Sequence, residues 1–523
     1  MAASTAAETP PGSGEDSTAK EEMHTSIRGS MLLLAGRVIA LGVEFAAQVL
    51  VVRYLSQNAY GAFSYALAIA YLLAGIVVLG LPETMARYTP IYLEHRQHHR
   101  LLGAIIVAIA VVVTIGLVAF AVVVALADPL ADALDSDDAA RLLGILMLLV
   151  PLDGLNLIFQ GIFAALGRVR TIFVRQYVLV PGLKFGVSLA LVIGGKGTTF
   201  LAAGYVLVSA VGVLWYSSAG FPFLRRALAR SREKVRDRVE LPAKEILSFA
   251  LPVLLTNVFW IALLAAGTIT LGVLSSTKQV AEFEAVLPPA RLNYLVTAIF
   301  AILFIPTISR LYAREDMPGL RRTYMHTTYW LTTLTVPLLA LTGVFAPVFV
   351  PTFFGVRYDA SIPILILLAL GYYIHSTVGP NSNTLKVFRR LSVTVRLDLA
   401  ALALGIGLNI ALIPVWGALG AAMAFLLAVT IRNVAYHFAL RKIAGISIVQ
   451  RDYVRLQLTV AVALGVLVAI QVFAHPNIVI AAFLSGLAGL AVMRACRDIL
   501  DVEGTFPELL RGPLRGFLGS KSA

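Results

Sequence analysis

The chain of 523 residues is short of what a water-soluble domain needs on its surface: charged residues make up only 14% of it. Hydrophobic residues make up 59%, with a mean hydropathy of +0.85, and this excludes a soluble globular protein of such size. There is a single cysteine, Cys496, which excludes an internal disulfide and any cysteine-based metal site. A nucleotide-binding Gly-x-x-x-x-Gly-Lys-Ser/Thr loop is also missing, since Gly194-Gly195-Lys196 runs into Gly197. Residues 1–26 lack the basic start and short apolar core of a cleavable signal and read as a disordered tail rich in Ala, Ser, Thr, Gly and Glu. Acidic residues are scarcer than basic ones, 29 against 42, for a net charge of +13. In so apolar a chain the excess belongs first to cytoplasmic loops and membrane headgroups, not to a nucleic-acid partner.

What the chain has in quantity is apolar runs of about twenty residues, the length that crosses roughly 30 Å of hydrocarbon. Six fall between residues 30 and 219, and after a polar break eight more fall between 246 and 495. The expectation is an all-α polytopic membrane protein of about fourteen transmembrane helices. With the N-terminus inside, alternating loops hold 33 of the Lys and Arg on the inner side and 5 on the outer, namely Arg53, Arg141, Lys196, Lys278 and Arg357. The outer side also takes the acidic run Asp132, Asp135, Asp137, Asp138. Missing or inventing one helix would scramble that split, so both termini are expected in the cytoplasm. The expected organisation is a tail at 1–26, a six-helix bundle at 27–219 and a basic linker at 220–245. A second six-helix bundle follows at 246–440, then two extra helices at 441–496 and a cytoplasmic tail at 497–523.

The two sets of six spans overlay at an offset of about 220 residues. Leu55-Ser56 falls on Leu274-Ser275, Pro82 near Pro306, Arg87 near Arg310, and Gly167-Arg168 near Phe388-Arg389. Six-helix units of equal orientation make a parallel repeat about an axis along the membrane normal, with a cavity between two bundles.

Four stretches carry a family likeness: Arg53-Tyr-Leu-Ser-Gln-Asn-Ala-Tyr-Gly61, Leu79-Gly-Leu-Pro82 to Arg87-Tyr88, Ala164-Ala-Leu-Gly-Arg168, and Ile413-Pro-Val-Trp-Gly-Ala-Leu-Gly-Ala-Ala422. In order and spacing they resemble the prokaryotic polysaccharide or oligosaccharide flippases of the multidrug/oligosaccharidyl-lipid/polysaccharide exporter superfamily. The resemblance implies a flippase for a lipid-linked glycan, seated in the plasma membrane among its lipids, with a polysaccharide polymerase or ligase as candidate partner. It leaves the sugar unnamed.

Ionisable groups at membrane depth are costly and need a reason. On the first span Arg37, Glu44 and Gln48 stand at i, i+7 and i+11, one face of a helix. The other candidates are Asp153 with Asn156 and Gln160 on the fourth span, Lys184 after Pro181 on the fifth, Arg291 with Asn293 on the eighth, and Arg432 on the twelfth. A lipid pyrophosphate needs fixed cations in a hydrated lumen, which Arg37, Lys184 and Arg291 would supply, with Gln48 and Asn293 as polar neighbours. Arg53 and Arg432, nearer the span ends, are expected to snorkel, and Asn156 ranks with them as a weaker candidate. Trp260, Tyr294 and Tyr372 read as anchors or packing more than as sugar platforms. Without a nucleotide site, transport draws on a gradient or follows its cargo downhill, and Glu44 and Asp153 are the carboxylates to couple it to an ion. The pair Glu282-x-Glu284 reads as a solvated cap. Glu94, His95, His98 and His99 on an inner loop read as polar filler, so no metal, cofactor or catalytic residue is expected. Two rival readings stay open: a drug or organic-cation antiporter, which wants an acidic, aromatic cavity, and a glycosyltransferase or ligase, which wants a sizeable outer loop bearing acids or histidines.

Overall fold

A computed structural model of the chain describes residues 36–126, 137–233, 240–388 and 390–502. The tail 1–26, Asp132 and Asp135, linker residues 234–239, Arg389 and the tail beyond 502 lie outside them, as does the Trp260 side chain. The described residues form helices throughout. In chain order the first lobe holds α1 (36–54), α2 (Gln57–Glu94), α3 (His98–Ala125), α4 (Ala139–Ala165), α5 (Val169–Ile193) and α6 (Thr198–Glu233). The second lobe opens with α7 (Ala243–Leu274) and α8 (Thr277–Ala313), followed by α9 (Met317–Val344), which continues after a 70° bend as Ala346–Phe354. Then come α10 (Ser361–Val387), α11 (391–416) and α12 (418–444), with α13 (Arg451–Ala474) and α14 (Ile478–Ala495) beyond.

Among the described residues, nine helices are long and apolar enough to cross a membrane, or eleven when each of two bent pairs is one span. That tally takes Leu391–Ala444 as a single rod, but the chain folds back at Gly417, where φ is 54° and ψ −129°. Below the turn the two arms pack side by side, Gly405 against Ala428 and Asp398 against Arg432. Only glycine adopts that backbone without strain, and Gln279 seals the turn by accepting the Ala418 N–H at 2.7 Å. The Ile413-Pro-Val-Trp-Gly stretch is therefore a helical hairpin. Large side chains such as Ile193, Phe473 and Val479 are more than 70% exposed on the outer surface of the bundle, a surface that water does not tolerate and lipid does.

The repeat is written in caps and kinks. Ser56 and Ser276 each cap a helix, accepting from the backbone N–H of Ala59 and of Gln279. Arg96 and Glu315, which close the loops after α2 and α8, both stand in the left-handed region at φ 55° and 57°. These landmarks recur at an interval of about 220 residues, with Ser276 in place of Ser275 as the partner of Ser56. Helix α8 also begins earlier than hydropathy alone suggests, at Thr277, because the Ser276 cap and the helical spacing of Val280, Phe283, Val286 and Leu287 outweigh Lys278, Glu282 and Glu284.

The lobes share a core at the end where α1 joins α2. Val51, Tyr60, Val280, Phe349 and Tyr358 belong to one buried cluster there, and α2 packs along α7 and α8. The approach is closest at Gly61, where a Cβ would stand 1.7 Å from the Thr277 carbonyl oxygen. Gly61→Val should therefore cost about 1–3 kcal/mol or more through overpacking, read as a lowered thermal midpoint of the purified protein; an unchanged midpoint would mean that the lobes part easily here. Helices α13 and α14 pack against α9, Leu456, Val460, Ala481 and Val492 sharing a cluster with Trp330 and Val336.

Candidate functional site

Between the lobes lies a cavity of about 730 Å³. It is lined from α1 by Val38, Leu41, Glu44, Phe45 and Gln48, from α2 by Tyr60, Ser64 and Tyr71, from α5 by Lys184 and from α6 by Tyr205. The second lobe contributes Thr268 from α7, with Glu284 and Arg291 from α8. Glu284 and Arg291 stand seven residues apart, two helical turns, and so share one face of α8. Just before Lys184, α5 widens into a π-helical stretch at Val174–Leu179, a feature that shifts the register of everything after it.

Lys184 donates to the Tyr71 hydroxyl at 3.3 Å and lies 4.8 Å from the centre of the Tyr205 ring. Glu44 and Asp153 act on it from farther off. Arg291, surrounded by protein but open to the cavity, donates from Nε to the Tyr372 hydroxyl at 3.3 Å. The carboxylate that acts on it is Glu284, which accepts from the Thr268 hydroxyl. Neither cation has a carboxylate within 4.0 Å among the described residues. Tyrosine hydroxyls thus hold both, with ring faces added for Lys184, which costs a cation less than desolvation without any partner but leaves its charge uncompensated at contact. Gln48 crosses between the lobes, its side-chain amide donating to the carbonyls of Glu284 at 3.3 Å and Ala285 at 3.0 Å.

Glu44, Gln48, Lys184 and Arg291 are therefore brought together. Arg37 stands outside the lining, exposed at the start of α1, where its charge acts on Tyr177 and Tyr294. Asp153 and Asn156 belong to the packing of the first lobe instead. Ser209 donates to the Asp153 carboxylate, and Asn156, 1% exposed, donates to the Ser209 carbonyl and hydroxyl at 3.1 Å each. Gln160 joins Gln176 at 3.4 Å. Asn293 points into the second lobe, donating to Thr342 Oγ1 at 3.0 Å. Arg432 does not snorkel: it is 6% exposed and paired with Asp398 at 2.7 Å. Arg53 bonds across the lobe boundary. Tyr294 stacks near His375 at 5.4 Å, and Tyr372 supports Arg291.

Glu284 is the residue that sequence reading misplaced. Taken as part of a solvated cap, it stands two turns inside α8 facing the cavity. Its interval of seven from Arg291 was the available signal. With it the lining is balanced, Lys184 and Arg291 against Glu44 and Glu284, where the sequence suggested a cationic excess.

Two lobes of apolar helices around a charged, partly enclosed cavity define a polytopic membrane transporter. The chain belongs to the polysaccharide biosynthesis protein family, which matches residues 26–312. No curated protein matches the sequence significantly. Among solved structures the chain is similar to the lipid II flippase MurJ in an inward closed conformation, with 15% identity, a TM-score of 0.68, and coverage of 90% of this chain and 100% of that one. It is also similar to a multidrug resistance MATE family transporter in its inward-facing conformation, with 14% identity, a TM-score of 0.62, and coverage of 80% and 98%. A transporter of the same MOP superfamily from Pyrococcus furiosus gives 16% identity, a TM-score of 0.52, and coverage of 80% and 95%. The fold is thus that of alternating-access flippases and transporters, and the chain is a multi-pass membrane protein.

Proposed function

We propose that the protein flips a polyprenyl-(pyro)phosphate-linked oligosaccharide from the cytoplasmic to the outer leaflet of the cell membrane, both of its termini being cytoplasmic. The carrying observation is that one ammonium and one guanidinium, from opposite lobes, face the same cavity with no carboxylate of the described residues at ion-pair distance. Such cations accept an anionic phosphate group without first breaking a salt bridge. The cavity falls in the range that encloses a drug-sized ligand, room for the pyrophosphate and its first sugars, while the polyprenyl chain stays in lipid. The two lobes, residues 27–219 and 246–440, rock about that site, with 220–245 joining them and 441–496 appended. The protein acts as a transporter and not as an enzyme. A polysaccharide polymerase or ligase is the partner such cargo calls for.

The test is mass spectrometry of lipid-linked oligosaccharides in cells lacking the protein, in cells carrying it, and in cells carrying Lys184→Ala with Arg291→Ala at matched protein level. Accumulation of the complete lipid-linked glycan in the first and third supports the reading, and an unchanged pool sinks it. Glu44, exposed in the cavity, together with Glu284 supports a second reading, a drug or organic-cation antiporter. In that case the pool stays constant while sensitivity to cationic drugs rises. On either reading Glu44 and Glu284, which line the cavity, are our proposed ion-exchanging carboxylates in preference to Asp153, which accepts from Ser209. Glu44→Gln with Glu284→Gln should make transport insensitive to ionophores, and undiminished sensitivity removes both as couplers.

A further inference from the structure

Along α1, from the cavity wall to the turn into α2, two layers hold the lobes together. Phe45 forms the first, its ring 5.1 to 6.1 Å from those of Phe349, Phe353 and Phe354 in the second lobe. The second layer is a reciprocal exchange of arginines. Arg53, near the end of α1, donates from Nε to the Phe353 carbonyl at 2.8 Å and from a terminal nitrogen to the Thr352 carbonyl at 2.6 Å. Arg357, just past the bent end of α9, donates to the carbonyls of Val52 and of Arg53, the latter at 2.7 Å. Gln57 adds a bond to the Arg357 carbonyl at 2.8 Å.

The acceptors are the last carbonyls of two helices, groups with no intrahelical partner and at the negative end of the helix dipole. Each lobe therefore caps the other's helix with a guanidinium. Both arginines are exposed, and neither meets a carboxylate within 4.0 Å among the described residues. Only neutral carbonyls, and for Arg357 the Tyr358 ring at 5.5 Å, balance them. Parting the lobes at this end breaks every one of these bonds and leaves two adjacent cations at the mouth of the cavity.

We infer that Arg53 and Arg357 form a latch that holds the outer face shut and, once released, an anion site at the exit that takes the phosphate of the departing cargo. A guanidinium gains more from a phosphate than from carbonyls, because the bond becomes charge-assisted on both sides and bidentate. Anion binding therefore favours the open state by mass action. The anion half of this inference rests on the flippase reading; the latch half does not.

The experiment uses the full-length chain with Cys496→Ser and Gly42→Cys, the latter in the cavity wall about one turn inward of Phe45 along α1, where an added side chain meets nothing within 4 Å. Intact cells are treated with a membrane-impermeant maleimide, so that labelling reports opening of the outer face. Arg53→Ala with Arg357→Ala should label about tenfold faster than the parent, as expected for the loss of several charge-assisted bonds. Inorganic pyrophosphate added outside should speed labelling of the parent severalfold and leave the double variant unaffected. Equal rates in parent and variant overturn the latch. A parent indifferent to pyrophosphate, or a variant that still responds, overturns the exit site. Should the double alanine variant fold poorly, Arg53→Lys with Arg357→Lys takes its place; it keeps both charges but not the paired donors, and should label at an intermediate rate while still responding to pyrophosphate. Because labelling requires no lipid-linked cargo, failure of the latch is read separately from failure of the flippase reading.

Discussion

Arg291→Glu is expected to lower transport about a hundredfold or more with the protein still present at its normal level. The substitution places a third carboxylate beside Glu44 and Glu284 in the cavity lining. Removing one member of a desolvated charge pair costs about 2–5 kcal/mol in binding, and each 1.36 kcal/mol is a factor of ten. Reversing the sign adds repulsion to the loss. The fold should survive, because Arg291 makes no ion pair among the described residues and Tyr372, its hydrogen-bond partner, is held independently by Phe425 with ring centres 4.7 Å apart. Arg291→Lys keeps the charge but loses the Nε donor to Tyr372, so a loss of roughly tenfold is expected. Accumulated lipid-linked glycan, set against protein level, measures both. If Arg291→Glu transports like the parent, this cavity does not carry an anion.

The sequence made legible what depends on one helix at a time. Glu44 and Gln48 share a face because of their spacing, and Lys184 stands out because the nearest charged residue on its span, Arg175, is nine residues back; both readings needed only helical geometry. The repeat was visible at its ends to within one residue: the sequence matched Ser56 to Ser275, and Ser276 does the capping. What stayed hidden depends on contacts far along the chain. Asp398 drew no notice although it neutralises Arg432, since the pairing exists only once Gly417 has folded the two arms together. Arg53 looked like a snorkelling cation, and the carbonyls it caps lie 300 residues away. Asn156 and Asn293 are polar residues in apolar spans, which reads equally as a cavity wall or as a helix-to-helix bond. Only the positions of Ser209 and Thr342 decide for the second. Glu284 was misread because the first turns of a capped helix carry the same charged pattern as a loop.

Asp398→Asn should be the most destabilising of these changes, about 3–5 kcal/mol. Its carboxylate lies 2.7 Å from the Arg432 guanidinium and accepts the Tyr436 hydroxyl at 2.9 Å. Arg432 is only 6% exposed, and a guanidinium that has lost its counter-charge cannot shed its proton to escape the penalty. Asparagine has nearly the same shape, so no cavity is made and the loss measures charge alone. Lower thermal stability and lower membrane content should follow together. Restoring neutrality with Asp398→Leu and Arg432→Met should recover most of the stability, because a buried pair contributes little beyond what apolar packing supplies in its place. The pair belongs to the hairpin of the second lobe and not to the cavity wall, so transport per molecule should persist in the rescued double variant. If the double variant is stable but transports nothing, Arg432 takes part in the cycle, and the placing of the site around Lys184 and Arg291 alone would have to be widened to the second lobe's interior.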